Sequence, residues 1–187
     1  MKIVIIGSST GGPYILEQIF AQFPKIPAVI IIVQHLPQNF TNAFCEHIKN
    51  LTQMQVLIAS SAYHIREGEI LIAPAGKHLL LSNNRNIIFQ DGEKLHGVKP
   101  AVDYTMLSLR NRVEDHLAGV VLTGMGNDGA SGIAHIKCIK GLTIAQDPNT
   151  SPIRSMPQAA IDTGMVTEIL SPLDISKALI RFGTQKS

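Results

Sequence analysis

Cysteine is scarce: Cys45 and Cys138 are the only two in 187 residues. Both fall in stretches with helical apolar spacing, which argues against a disulfide framework or a thiolate metal site and fits a reducing, cytoplasmic setting. Charge is also low, with 16 basic and 14 acidic residues spread along the chain. No Lys/Arg block of the kind that grips a phosphate backbone is present, so nucleic acid is not an expected partner. The apolar opening Met1–Ile6 runs at once into turn residues, too short for a signal segment or a membrane span, so direct membrane insertion is not expected. Repeats, low-complexity tracts and linker-like stretches are missing as well. One domain over residues 1–187 is the expectation, long enough to bury one sizeable core.

What the chain has in quantity is short β-branched runs. Ile3–Ile6, Ala28–Val33, Val56–Ala59, Gly119–Thr123 and Leu142–Ala145 read as strands buried on both faces, the habit of parallel sheets. Between them, Tyr14–Phe23, Thr41–Leu51, Tyr104–Val113, Ala130–Ile139 and Pro157–Thr163 carry helical spacing. The alternation predicts an α/β fold, a doubly wound and mostly parallel sheet with helices on both faces. Glu69–Ile72, Lys77–Ser82 and Asn86–Gln90 are short alternating runs, with Asn83-Asn84-Arg85 as hairpin-turn chemistry, and predict an antiparallel excursion. The polar tail Gly183–Ser187 is expected to fray.

The loop Gly7-Ser8-Ser9-Thr10-Gly11-Gly12 joins the first strand to the first helix. A phosphate-cradling P-loop needs Lys and Ser/Thr after its second glycine, but Gly12 is followed by Pro13-Tyr14. A dinucleotide fingerprint needs glycine where Ser9 stands, and an acidic residue closing the second strand, where Gln34-His35 stands. Gly7-x-Ser9-x-Gly11 in a strand–turn–helix context matches a nucleophile elbow, in which small neighbours permit a tight turn that lifts a serine oxygen above the sheet. A Gly-rich turn with Ser9 or Thr10 capping the helix is the alternative.

A base decides between them. If the first two strands are neighbours in a β-α-β unit, residues just past their C-terminal ends share one rim, and Ser9 and His35 occupy such positions. His47, His64, His78, His96, His116 and His135 fall in helices, on the hairpin or beside turns, and read as structural or surface residues. For the orienting acid, Asp128 follows another strand at the start of a helix, where it could also be that helix's N-cap. Asp147 is a rival on the same rim, and Asp103, at a helix start, a weaker one. No two histidines and a carboxylate show zinc or dinuclear spacing, so neither metal nor cofactor is expected. A serine hydrolase, and a non-catalytic module holding phosphate or nucleotide at helix N-termini, are the competing functions.

Ile6-Gly7-Ser8-Ser9-Thr10-Gly11-Gly12, Val33-Gln34-His35-Leu36-Pro37 and Leu122-Thr123-Gly124-Met125-Gly126-Asn127-Asp128-Gly129 together resemble the catalytic domain of the CheB family of bacterial chemotaxis methylesterases. The likeness extends through Gly68–Gly76, Pro100-Ala101-Val102-Asp103 and Met156-Pro157-Gln158-Ala159-Ala160. It implies a Ser9, His35, Asp128 triad, Asp128 thereby preferred over Asp147, with the backbone around Thr10 and Met125 near the oxyanion. The implied activity is hydrolysis of glutamyl methyl esters to glutamate and methanol, with glutamine deamidation as a second activity. The implied partner is the methylated cytoplasmic region of chemoreceptors. Such proteins commonly carry an N-terminal receiver domain. Here the catalytic strand starts at Met1, so no receiver is expected, which leaves a free-standing enzyme, a piece of a longer protein and regulation by a separate partner as the open readings; a serine esterase acting on another methylated protein or a small ester is the alternative function.

Overall fold

A computed structural model describes residues 1–185. Seven strands form one parallel sheet: β1 (Lys2–Ser8), β2 (Val29–Gln34), β3 (Gln55–Ile58), β4 (Glu69–Ile72), β7 (His116–Val121), β8 (Leu142–Gln146) and β9 (Glu168–Leu170). A separate antiparallel pair, β5 (His78–Leu81) and β6 (Ile87–Gln90), is closed by the Ser82–Asn86 turn. The helices are α1 (Gly12–Phe20), α2 (Thr41–Lys49), α3 (Val102–Leu107), α4 (Ala130–Cys138), α5 (Ser155–Asp162) and α6 (Pro172–Thr184). Among the described residues no helix is long and apolar enough to cross a membrane.

Period-two geometry lets one apolar strand serve two cores. Val4 and Ile6 of β1, with Ile30 and Ile32 of β2, face the layer of α1, α2 and α6. Ile3 and Ile5, with Val29, Ile31 and Val33, face α3, α4, α5 and the hairpin. This two-sided burial is what the continuous β-branched runs announce, and the expected doubly wound fold is the one found. The sheet order is β3-β4-β2-β1-β7-β8-β9. From β1 the chain winds outward through β2, then returns to β7 on the other side, so the strand order reverses at β1. Ligand sites of open α/β sheets form beyond the carboxyl ends of the strands at such a reversal.

Four expectations need correction. Glu69–Ile72 is no part of the antiparallel excursion: it inserts as β4 between β2 and β3, parallel to both. The helix expected to reach Val113 ends at Leu107, because the Ser108 hydroxyl takes the Leu81 amide, and the guanidinium of Arg110 bonds the Leu107 and Leu109 carbonyls. The helix expected to reach Phe23 ends at Phe20, and Gln22 turns the chain at φ 56°. Finally, Gly183 and Thr184 belong to α6, with the Lys2 ammonium donating to the Gly183 carbonyl at 2.9 Å. Lys186 and Ser187, the rest of the expected frayed tail, lie outside the described residues.

Candidate functional site

The Ser9 loop is held on both flanks. Its amide donates to the Thr123 carbonyl beyond β7 at 3.0 Å, and its carbonyl accepts from the Gly12 amide at 2.8 Å and the Gln34 side chain at 2.9 Å. Gly11, at φ 79°, makes the left-handed turn that starts α1, a conformation costly for a side chain-bearing residue. Gly124 lies so close that a Cβ on it would sit 2.7 Å from the Ser9 Cβ. Neither Ser9 nor Thr10 caps α1 by a side-chain hydrogen bond, which removes the capping alternative for this loop.

β1 and β2 pair in parallel with Ser8 opposite Gln34, so the adjacency required for Ser9 and His35 to share a rim exists. The His35 amide donates to the Ser8 carbonyl at 3.0 Å. The buried Gln34, unremarkable as a sequence letter, joins the two loops: its Oε1 accepts from the Ser8 hydroxyl at 2.6 Å, and its amide nitrogen bonds the Ser9 and His35 carbonyls. Gln146 does the same between β7 and β8, accepting from the Thr123 amide and donating to the Thr150 carbonyl.

His35 Nε2 lies 2.8 Å from Asp128 Oδ2. Because that carboxylate also accepts the amides of Val102 (2.7 Å, Oδ2) and Asp103 (2.9 Å, Oδ1), it is an acceptor on every side. Nε2 therefore carries the ring hydrogen and Nδ1 the lone pair. Nδ1 is buried and has no hydrogen-bond partner within the described residues, and no hydrogen bond joins it to the Ser9 hydroxyl among them. Asp128 thus caps the start of α3, not its own helix α4 as the sequence suggests. Asp103, in turn, accepts the Gly129 and Gly132 amides of α4 on Oδ1, at 3.0 and 2.7 Å, and meets His96 Nε2 through Oδ2 at 2.9 Å. His96, expected to be a structural or surface residue, is exposed and tied through Asp103 to the site's neighbourhood.

Burial pushes the Asp103 carboxyl above the ordinary carboxylate range and the nearby Asp128 charge adds to this, while the Gly132 amide and His96 oppose it. Asp147, the rival acid, bonds the Asn149 amide at 2.8 Å at the start of its own 3-10 turn. Met125, Gly126 and Asn127 are exposed, as is Thr10. An open cleft of about 280 Å³ is lined by His35, Leu36, Lys94, Gly97, Val98 and Lys99. His96, Asp103 and Asp128 offer ligand atoms within 4.8 Å of one another, a grouping that sequence spacing does not reveal. Their four carboxylate oxygens are already engaged by backbone amides or imidazoles.

Residues 4–179 match the family model described as CheB methylesterase. A Symbiobacterium thermophilum protein named protein-glutamate methylesterase/protein-glutamine glutaminase is 38% identical over 181 residues, covering 96% of this chain and 50% of that protein. A relative of the same name from Archaeoglobus fulgidus is 38% identical over 183 residues, covering 96% and 52%. The chain spans about half the length of these curated relatives. The crystal structure of the Thermotoga maritima CheB methylesterase catalytic domain superposes with a TM-score of 0.90 at 35% identity, over 96% of this chain and 97% of that one. On sequence, fold and topology together, the chain belongs to the CheB methylesterase family.

Proposed function

We propose that this chain hydrolyses glutamyl methyl esters on chemoreceptors to glutamate and methanol, with Ser9 as nucleophile, His35 as base and Asp128 as orienting acid. The observation that carries the reading is the buried, unpartnered Nδ1 of His35, an imidazole held through Nε2 by Asp128 at the strand end next to Ser9. Ser9 Oγ attacks the side-chain ester carbonyl as Nδ1 takes its proton; Asp128 holds the tautomer and stabilises the imidazolium. The imidazolium returns the proton to the departing methoxide oxygen, and methanol leaves. His35 then activates water to cleave the acyl-enzyme, and the Thr10 and Met125 amides support the oxyanion in both steps. A glutamine side chain entering the same acyl-enzyme would release ammonia, which makes deamidation the companion activity.

The name these relatives carry supports both activities, and the methylated cytoplasmic region of chemoreceptors is the proposed partner. The proposal also places the enzyme in the cytoplasm as a single catalytic domain. Methanol release from methylated receptor, compared with small esters, tests the substrate. Labelling by a fluorophosphonate, abolished in Ser9→Ala, tests the chemistry. Release from small esters alone would refute the receptor assignment, and absence of labelling would refute the nucleophile.

A further inference from the structure

The hydrogen bonds around Asp128 form a closed loop. Asp128 receives the backbone N–H of Asp103, and Asp103 receives the backbone N–H of Gly129, the residue after Asp128. Each carboxylate satisfies amide groups at the start of the other's helix, which those helices leave without intrahelical partners. The starts of α3 and α4 are thereby tied to each other: the Asp128 carboxylate holds the Asp103 backbone, and the Asp103 side chain holds the backbone just after Asp128. That side chain is itself held from outside by His96.

His96 is presented unusually. Leu95 and Val98 exchange both backbone hydrogen bonds around the two-residue turn His96-Gly97, whose φ values are 54° and 78°. Positive φ at both central residues is the hairpin turn that favours Asn-Gly, and histidine is among the few side chain-bearing residues that enter this left-handed region readily. From there it makes a direct bond to a buried carboxylate.

We propose that Asp103 is a positioning residue for Asp128, and that His96 fixes Asp103 in that role. The inference rests on the esterase reading of the site. Asp103 touches neither Ser9 nor His35 in any recorded hydrogen bond; it acts by holding the loop Asn127–Gly129, and so the carboxylate that orients the His35 ring. Both amide bonds to Asp103 land on Oδ1, leaving Oδ2 for His96. An asparagine at 103 keeps Oδ1 and both bonds, and its amide group can donate to an unprotonated His96 Nε2. An alanine keeps none of them.

The test is kinetic and spectroscopic, on the whole chain. Asp103→Ala should lower kcat by about 10–100-fold with KM changed less than about 2-fold, the effect of a misplaced catalytic group, counted per fluorophosphonate-reactive site so that misfolded protein does not enter. Asp103→Asn should recover most of the loss. His96→Asn suits the turn but does not reach Asp103, and should lower kcat by a few-fold without lowering the melting temperature. The NMR signal of the His35 Nε2 proton should be retained in Asp103→Asn and be broadened or shifted in Asp103→Ala and His96→Asn. Wild-type kcat per reactive site in Asp103→Ala, or in His96→Asn if that alanine variant does not fold, would overturn the proposal. A wild-type chain that neither hydrolyses esters nor labels would instead sink the esterase reading, and the His35 proton signal would then decide the positioning role alone.

Discussion

At the residue scale, the proposed chemistry and the folding contributions of the same side chains separate cleanly for Ser9 and less so for Asp128. Ser9 is on a loop and its recorded hydrogen bonds use only its backbone. Ser9→Ala should therefore abolish ester hydrolysis by several orders of magnitude while leaving the melting curve close to wild type. Near-normal methanol release would remove Ser9 from the mechanism. Asp128 is different. As the N-cap of its own helix it would tolerate asparagine almost without cost, but its two oxygens accept from Asp103 on one side and from Val102 and His35 on the other. An amide must turn its NH2 toward a backbone N–H on one side or the other, so Asp128→Asn should lose about 1–3 kcal/mol of stability. It should also slow turnover by about three to four orders of magnitude, since the amide favours the wrong tautomer. Asp147→Asn is the control, because an asparagine oxygen can still accept the Asn149 amide. Its rate and melting temperature should stay within error of wild type, and a large rate loss there would transfer the acid's role to Asp147.

At the scale of elements, the sequence is legible where a local pattern and the final contact coincide. Ser9 and His35 follow long apolar runs that are consecutive strands, so their proximity needs only one assumption, which the β1–β2 pairing meets. The place of β4 is not legible, because a four-residue run carries no information about its partner, and only the sheet's long-range order assigns it between β2 and β3. The start of α6 is marked in the sequence: Ser171 caps the Asp174 amide and Pro172 opens the first turn. The exchange of caps between α3 and α4 was not legible at all, since each aspartate looks locally like the cap of its own helix. That exchange has a pH consequence. The Asp103 carboxyl, raised mainly by burial with Asp128 adding and His96 opposing, ionises more readily in the unfolded chain than in the fold. Its contribution to stability is full below the unfolded value of about 3.9 and falls as pH rises toward the folded value. The non-titrating Asp103→Asn should thus gain stability relative to wild type as pH climbs above about 4. Denaturant titrations at several pH values check this, and a constant difference would show that Asp103 titrates alike in both states.

For the whole molecule, the sheet divides labour. Its carboxyl edge at the β1/β7 reversal carries the proposed chemistry, and its two faces carry the cores that hold that edge in place. Within the core shared by α1, α2 and α6, Ile175, Ala178 and Leu179 of α6 are buried against the layer that also holds Phe20 and Ile26. Leu179 is wholly buried and makes none of the hydrogen bonds recorded around Ser9, His35 and Asp128. Leu179→Ala should cost about 2–5 kcal/mol through lost burial and the cavity left behind, and each kcal/mol lowers the Tm of a domain this size by roughly 2–4 °C. Below that transition the folded molecules still present Ser9, His35 and Asp128 on an undisturbed edge, so kcat per fluorophosphonate-reactive site should match wild type. The variant is thus the mirror of Ser9→Ala, with stability lost and chemistry kept. A fall in kcat per reactive site at a temperature where the protein is fully folded would mean that the α6 face communicates with the strand ends, and that core and edge are mechanically coupled across the sheet.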